Sequence, residues 1–126
     1  MNKLEIQKRV LKNGKPLSLE KFFWCEKTRT FETKEDHLVL DFHFIDDITF
    51  KTGSDCTFKT DSDCIFSTGS NCVVIRRDIF EVIKLEKDQK IKLNGYRILG
   101  YKVIEEDKKV TIELTQSQLD KIKHLI

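Results

Sequence analysis

The chain has no long hydrophobic run and almost no excess of charge of either sign. No apolar stretch approaches the roughly 20 residues that a membrane span requires, and the first residues lack the apolar core of a signal peptide. With 23 basic and 21 acidic residues the net charge is +2, which favours neither a nucleic-acid binder nor an acidic DNA mimic. These absences predict a cytoplasmic protein with no membrane partner, whose four cysteines are reduced.

Catalytic signatures are also missing from the sequence. The histidines His37, His43 and His124 accompany no nucleophile motif, no Gly-Xaa-Ser-Xaa-Gly and no phosphate-binding glycine loop. Asp46 and Asp47 are adjacent carboxylates, but consecutive residues of a strand face opposite sides of the sheet. The sequence therefore predicts that the protein is not an enzyme, and it predicts no cofactor.

Three tandem octads fill residues 49–72 and read TFKTGSDC, TFKTDSDC and IFSTGSNC. Within them each cysteine stands two residues before the next phenylalanine, as in Cys56 and Phe58, so both point to the same face of an extended strand. The Thr-Gly-Ser or Thr-Asp-Ser triplet after each phenylalanine is typical of a turn. Each octad is therefore predicted to be a short strand followed by a tight turn.

A degenerate octad lies on each side of the three, at residues 41–48 and 73–80. The two predicted inward ladders are Phe42, Phe50, Phe58, Phe66 and Val74, and Ile48, Cys56, Cys64, Cys72 and Phe80. If two octads make one turn of a flat roll, Phe50 stacks on Phe66 and Cys56 on Cys72. A meandering antiparallel sheet has the same period, and periodicity alone does not decide between the two arrangements.

We predict one mainly β domain spanning residues 1–126, built as a short β-solenoid or β-roll of octapeptide repeats with flanking β-hairpins and one C-terminal helix. Its parts are an N-terminal cap (1–40), the octad repeat region (41–80), a β-hairpin region (81–114) and the helix (115–126).

Four segments outside the octads have local predictions of their own. Residues 3–11 favour a strand weakly over a short helix. Asn94-Gly95 predicts a two-residue type I′ turn between strands at 90–93 and 96–99. A second hairpin is predicted to turn at 105–108 and return over 110–114. The capping box of Thr115 and Gln118 predicts the start of the helix.

The cysteine and aspartate columns raise the question of a metal site. Zinc ligands usually stand a few residues apart, whereas Cys56, Cys64 and Cys72 recur every eight residues, so we interpret them as core residues and predict no metal. Cys56 and Cys72 would approach disulfide distance if stacked, although a reducing cytosol argues against a permanent bridge.

A polar column of Asp47, Asp55, Asp63 and Asn71 is predicted to be solvated or to cap turns. A bound cation is the alternative, but the repeat lacks the Gly-Gly-Xaa-Gly-Xaa-Asp pattern of calcium-binding β-rolls.

Arginine and aromatic residues give the candidate binding positions, because both are enriched at protein interfaces. The candidates are Arg76, Arg77, Tyr96, Arg97, Tyr101, Phe22, Phe23 and Trp24. For the arginines and tyrosines the alternative is that they are ordinary exposed strand residues. For the Phe-Phe-Trp patch the alternatives are a lid over the open end of the roll and an exposed hot spot for a partner.

The octads resemble a loosely defined group of octapeptide-repeat proteins of the TFKTGSDC type, found in AT-rich bacteria, their prophages and mobile elements. Similar flanks are the segments 12–17, 38–42 and 72–78, so the resemblance covers residues 12–104. It implies a β-solenoid, and it implies no activity or site residue.

The expectation for function is a non-enzymatic protein-binding module. The resemblance to mobile-element proteins suggests a phage- or prophage-encoded inhibitor of a bacterial defence system, such as an anti-CRISPR protein acting in the host cytoplasm. The alternatives are a structural module that self-assembles into a homo-oligomer, and a sponge that binds a nucleotide signal through arginine and tyrosine residues.

Overall fold

A computed structural model of the chain describes residues 1–104, and strands dominate it. Helix α1 spans Lys3–Gln7, and a short 3-10 helix spans Leu19–Lys21. The strands are β1 (Val10–Lys12), β2 (Lys15–Pro16), β3 (Phe23–Cys25), β4 (Thr30–Glu32), β5 (Leu38–Asp41), β6 (Thr49–Lys51), β7 (Thr57–Thr60), β8 (Ile65–Ser67), β9 (Cys72–Arg76), β10 (Val82–Leu85), β11 (Lys90–Leu93) and β12 (Tyr101–Val103). The prediction of a mainly β protein is confirmed.

The strands form two mixed six-stranded sheets, and the strands from β4 to β9 alternate between them. The first sheet has the order β10-β9-β7-β5-β1-β2, and the second has the order β12-β11-β8-β6-β4-β3. Strands β5, β7 and β9 are parallel in the first sheet, as are β4, β6 and β8 in the second. Each octad strand therefore pairs with the strand two octads away, and the antiparallel meander is excluded for this region.

The phenylalanine ladder forms the core between the sheets. Phe50 lies opposite Phe66 in the second sheet, and Phe58 lies opposite Val74 in the first. Rings from the two sheets also meet edge to face, as Phe58 and Phe66 do at a centroid distance of 4.9 Å. Burying aromatic side chains of this size is the main favourable contribution to folding that the octads supply.

Phe80 was predicted to be the last member of an inward ladder, and this prediction is wrong because its side chain is 82% exposed. Strand β9 runs for five residues, and the chain then reverses into β10, which pairs with it in an antiparallel manner. This reversal ends the octad repeat before residue 80, so the phenylalanine at that position leaves the core.

The Asp and Asn residues that precede Ile48, Cys56, Cys64 and Cys72 of the inward ladder have left-handed backbones. Their φ angles are 61° at Asp47, 58° at Asp55 and 61° at Asp63, and Asn71 has 57°. Asp and Asn tolerate this region better than other residues with side chains, which explains why they recur at these corners. The prediction of a single column is wrong, because Asp47 N–H donates to the Ser62 carbonyl while Asp55 N–H donates to that of Ser70. The four residues lie in two separate columns.

The same alternation explains why the fifth octad position reads Gly, Asp, Gly. Gly53 and Gly69 stack at one corner, where Gly69 N–H donates to the Gly53 carbonyl at 3.1 Å. A Cβ at Gly69 would collide with the Ser54 hydroxyl, and one at Gly53 would collide with the Asp36 carboxylate. Asp61 belongs to the intervening octad and therefore to the other side of the fold, where a side chain fits.

The N-terminal residues 3–11 were expected to favour a strand, and that preference is wrong for their first half. Asn2 caps α1 by accepting from Glu5 N–H, while the Glu5 carboxylate accepts from Asn2 N–H at 2.7 Å. This reciprocal capping box satisfies two donors that would otherwise lack a partner. Strand β1 begins only at Val10.

The predicted two-residue turn at Asn94-Gly95 is also wrong. Strand β11 pairs with β12, with Leu93 opposite Tyr101, so residues 94–100 form a longer loop. The second hairpin at 105–114 and the helix at 115–126 lie outside the described residues.

Candidate functional site

Arg76 is the most unusual residue of the interior, because its side chain is completely buried. It ends β9, where the alternation of Cys72, Val74 and Arg76 directs every second side chain inward. We correct the expectation of an exposed Arg76 accordingly. A buried guanidinium requires partners for its charge and its donors, and these partners define the site.

Two acidic residues from the loop after β9 neutralise Arg76. Asp78 accepts from Nε at 3.1 Å and from Nη2 at 2.6 Å, which is a bidentate pair. Glu81 lies 3.6 Å from Nη1. Such two-point pairing fixes the geometry of both groups as well as their charge.

The remaining donors of Arg76 hold the loop at residues 94–100. Nη1 donates to the Ile98 carbonyl at 2.6 Å, and Nη2 donates to the Gly95 carbonyl at 3.1 Å. Arg76 therefore joins two loops that are distant in sequence.

The acidic partners of Arg76 bind the same loop by accepting hydrogen bonds from its backbone N–H groups. Asp78 accepts from Arg97 N–H at 2.9 Å, and Glu81 accepts from Gly100 N–H at 3.0 Å. Within the loop, the Asn94 side-chain amide donates to the Leu99 carbonyl at 2.7 Å. We call Arg76 together with loops 77–81 and 94–100 the Arg76 clasp.

The Arg76 clasp depends on an ionised Asp78. Burial of Asp78 opposes ionisation, but hydrogen bonds from Arg76 and from Arg97 N–H outweigh it and hold the pKa of this carboxyl below its ordinary value. The side chain of Asp78 is 1% exposed, so water screens the ion pair little. The clasp is therefore a charged network enclosed by protein.

Outside this network the clasp exposes large apolar side chains. Phe80, Tyr96, Ile98 and Leu99 are between 58% and 82% exposed. The guanidinium of Arg97 lies over the Tyr96 ring, 5.7 Å from its centroid. We call Phe80, Tyr96, Arg97, Ile98 and Leu99 the clasp surface. Several large apolar side chains exposed on neighbouring loops are typical of an interaction site.

Arg77, another candidate, begins the first loop of the clasp, and the candidate Tyr101 directly follows the second loop. Arg77 is half-buried, and its N–H donates to the Thr60 carbonyl at 2.9 Å. Tyr101 begins β12, the edge strand of the second sheet, and is exposed. Of the arginine and tyrosine candidates, the clasp brings Tyr96 and Arg97 together and uses Arg76 as their internal support.

Phe22, Phe23 and Trp24 lie at the opposite edge of the second sheet. Phe22 is buried and stacks on Phe31 at a centroid distance of 5.2 Å. Trp24 is half-buried, and its Nε1 donates to the Met1 carbonyl at 2.9 Å. Phe23 is 73% exposed. The three residues thus divide between packing at the end of the core and exposure on edge strand β3.

The corners that contain Asp47, Asp55, Asp63 and Asn71 do not bring metal-ligating side chains together among the described residues. Among residues 1–104, no three His, Cys, Asp or Glu side chains come together in a way that would hold a metal ion. Asp55 instead faces His37, with His37 Nε2 3.5 Å from Asp55 Oδ2. His37 also has a left-handed backbone, with φ of 59°, and so shares the corner geometry of the aspartates.

Sequence reasoning missed Asp78, Glu81, Phe80, Ile98 and Leu99 as members of the site. The alternation that places Cys72 and Val74 inward continues to Arg76 and predicts its burial, and two acidic residues follow within five positions. That signal would have identified the ion-pair network. The position of the 94–100 loop beside it depends on tertiary contacts that no local pattern contains.

In comparisons of the chain with protein-family models, with curated proteins and with solved structures, no match was found. Within the part of the chain that the structure describes, no helix has the length and apolar character needed to cross a membrane. The clasp surface remains the feature whose chemistry bears most directly on function, since it combines apolar area with a cation stacked on an aromatic ring.

Proposed function

We propose that this protein is a non-enzymatic protein-binding module that contacts its partner through the clasp surface. The observation that carries the proposal is the contrast within the clasp: a fully buried arginine holds two loops whose outward side chains are large, apolar and exposed. Residues that pack a core do not need this support, whereas residues that form an interface benefit from it.

Pre-organisation is the physical reason. A loop that is ordered only on binding costs the complex the entropy of ordering, while a loop already held in place does not. The clasp holds residues 94–100 at Gly95, Arg97, Ile98 and Gly100. Tyrosine and arginine, both present on the clasp surface, are frequent among residues that dominate binding energy.

The scaffold that we propose for this surface is a short β-solenoid, or flat β-roll, with two octads in each turn. The alternation of strands between the sheets and the parallel pairing across two octads support it. In this arrangement the clasp lies at one end of the roll, because β10 and β12 end their respective sheets.

For the partner, we propose a component of a bacterial defence system, so that the protein acts as a phage- or prophage-encoded inhibitor such as an anti-CRISPR protein. The resemblance of the octads to mobile-element proteins supports this choice. A second candidate is self-assembly. It is favoured by β12, which is an edge strand among residues 1–104, since an edge without a neighbour can add a strand from another copy.

The test is affinity capture from lysate of a bacterial host, with nuclease treatment and with matched variants. The clasp variant is Tyr96→Ser with Leu99→Ser, and the control is Phe23→Ser, which alters an equally exposed residue at the other end of the second sheet. We expect one defence effector to be retained by the wild type and the control and lost from the clasp variant. Retention by all three proteins contradicts the clasp surface as the site.

The other outcomes separate the remaining functions. Recovery of the protein alone, together with a discrete oligomer in native mass spectrometry, supports self-assembly. Loss of the captured material after nuclease treatment indicates a nucleic-acid partner, and a bound nucleotide in native mass spectrometry indicates the nucleotide sponge.

A further inference from the structure

Two cysteines of the ladder are direct neighbours in the first sheet. Thr57 of β7 lies opposite Val73 of β9, which places the preceding residues, Cys56 and Cys72, side by side. Cys72 Sγ accepts a hydrogen bond from Cys56 N–H at 3.4 Å. Both sulfurs also approach one carbonyl oxygen, that of Gly53, at 3.9 Å for Cys56 and 3.4 Å for Cys72.

The other sheet provides an internal comparison. There Ile65 lies opposite Thr49, so the neighbour of Cys64 is Ile48 and the rung contains one thiol. Burial raises the pKa of Cys64 to about 12. The thiol pair is therefore specific to one rung of the first sheet.

The two thiols of the pair differ in their readiness to ionise. Hydrogen bonding to Cys56 lowers the pKa of the Cys72 thiol against the opposing effect of burial. The same contact raises the pKa of Cys56. A thiolate is the reactive form of cysteine, and Cys72 is also the member of the pair that lines a surface pocket, so Cys72 is assigned as the nucleophile.

A surface pocket of about 270 Å³ reaches this rung. Cys72 and Val73 line it from β9, and Lys84 and Leu85 line it from β10. Hydrogen peroxide is small enough to enter a pocket of this size, and Cys72 is the cysteine of the pair that lines it.

We propose that Cys56 and Cys72 are a thiol–disulfide pair that hydroperoxides oxidise and cellular dithiols reduce. Neighbouring strands lie about 4.8 Å apart, which falls within the Cα separation of about 4.4 to 6.8 Å that disulfides tolerate. The bridge therefore needs little movement of the backbone.

The chemistry balances in two steps. The Cys72 thiolate attacks one peroxide oxygen, the O–O bond breaks, and Cys72 becomes a sulfenic acid while the other oxygen leaves as hydroxide or alkoxide and takes up a proton. The Cys56 thiolate then attacks the Cys72 sulfur, the S–O bond breaks, and water leaves after protonation. Two thiols lose two electrons and two protons, and the peroxide is reduced to water and water or alcohol.

The disulfide would restrain the part of the first sheet that leads to the Arg76 clasp. It would join Cys56, the residue before β7, to Cys72, the first residue of β9, and β9 ends at Arg76. Oxidation would therefore stiffen the strand that supports the clasp, yet the proposal does not depend on the proposed function.

The test treats the folded protein with hydrogen peroxide, with exposed Cys25 replaced by serine (Cys25→Ser) to prevent intermolecular bridges. Free thiols are then alkylated in denaturant, and the protein is digested with trypsin and chymotrypsin. Cleavage after Phe58 and Phe66 separates Cys56, Cys64 and Cys72 onto different peptides without any change to the core. A parallel sample is oxidised in urea, where the native juxtaposition is lost.

The expected result is a peptide pair joined through Cys56 and Cys72, lighter by two hydrogens than the separate peptides, with Cys64 fully alkylated. Dithiothreitol should restore both thiols, and the oxidised protein should show a higher Tm. Full alkylation of all three cysteines after peroxide overturns the proposal. It is equally overturned by a Cys72 sulfinic acid without a bridge, or by the same mixture of bridges in the native and urea samples.

Discussion

Phe50 lies beside Phe66 in parallel register, with ring centroids 5.2 Å apart and ring planes inclined by only 11°. The two residues are separated by two octads in the sequence, so this contact shows that every second octad strand lies in the same sheet. Phe31 extends the same row, opposite Phe50 in the next strand. The second sheet thus has a continuous aromatic row that begins before the first recognisable octad.

Replacing Phe50 by alanine tests the energetic weight of this row. Phe50 is fully buried and contacts the rings of Phe42, Phe58 and Phe66, so we expect Phe50→Ala to lower the free energy of unfolding by about 3 to 5 kcal/mol. Phe44→Ala is the control, because Phe44 is 83% exposed, and a change within about 0.5 kcal/mol is expected there. Urea denaturation followed by circular dichroism measures both. Equal losses in the two variants would contradict the inward ladder.

Gly69→Ala tests the close approach of stacked corners. The new Cβ would meet the Ser54 hydroxyl and lie 3.0 Å from Ser54 N, and we expect a loss of about 1 to 3 kcal/mol. Asp61→Ala is the matched control from the intervening octad. Its carboxylate has a hydrogen bond with the Phe44 backbone, but its Oδ1 is buried without a partner, so the two effects of the substitution oppose each other and a smaller change in stability than for Gly69→Ala is expected. The idea is refuted if Asp61→Ala proves the more damaging of the two substitutions.

Asp63 tests the left-handed corners. Asp63→Val places a β-branched residue at a φ of 61°, which we expect to cost about 1 to 2 kcal/mol. Asp63→Asn keeps a side chain that tolerates this conformation and is expected to be nearly neutral. Thermal unfolding of wild type and both variants, with and without calcium, distinguishes this conformational role from cation binding. If Asp63 held a cation, calcium would raise the Tm of the wild type, and Asp63→Asn would lose that increase as well as Asp63→Val.

Asp78→Asn tests the ion pair inside the Arg76 clasp. The substitution leaves a buried guanidinium with Glu81 as its single acidic partner among the described residues, and we expect a loss of about 3 to 5 kcal/mol at neutral pH. Because the pKa of Asp78 is lower in the folded protein than in the unfolded chain, its contribution is complete above the unfolded-state value of about 3.9. That contribution is lost as the pH falls below this value.

The difference in stability between wild type and Asp78→Asn should therefore be constant from neutral pH down to about pH 4, and it should shrink as the pH falls further. Urea titrations of both proteins from neutral pH to below about pH 3 measure it. A difference that does not shrink at the acid end of this range would mean that Asp78 does not act through its charge.

Tyr96→Ala tests the clasp surface once a partner is identified. Tyr96 is exposed and stacked under Arg97, so its truncation should weaken binding by at least about tenfold, which corresponds to about 1.4 kcal/mol, without changing Tm. Arg76→Ala should weaken binding as well, but together with a lower Tm and faster proteolysis after Arg97. Titration calorimetry and limited trypsin digestion separate the two effects. A Tyr96→Ala variant with wild-type affinity would remove Tyr96 from the interface.

The octads themselves predicted much of the core, because a period of two within each strand and a period of eight between strands leave few choices for Phe50, Phe58 and Phe66. The strand pairing across two octads was one of two arrangements that the period allowed. The alternation of Gly53, Asp61 and Gly69 favours it, since only stacked corners exclude a Cβ.

One prediction failed because tertiary contacts override a local signal, and another failed because two local signals disagreed. Asn94-Gly95 is a strong turn signal, yet Arg76 binds the carbonyls of Gly95 and Ile98 and holds the segment as a loop. At the N-terminus the sequence contained a signal for a helix, because Asn2 and Glu5 have the spacing of a capping box. The alternation of Leu4 and Ile6 favoured a strand, and the strand was predicted.

The pairing of corners has a consequence for how such a chain can change length in evolution. Gly53 must lie against Gly69, and Cys56 against Cys72, each sixteen positions apart. Duplicating a single octad would move every later corner to the opposite side of the fold. An aspartate would then occupy the side where Gly53 and Gly69 stack, and a glycine would occupy the side where Asp61 fits. Duplicating two octads would restore every contact, so we expect viable length variants to differ by multiples of sixteen residues.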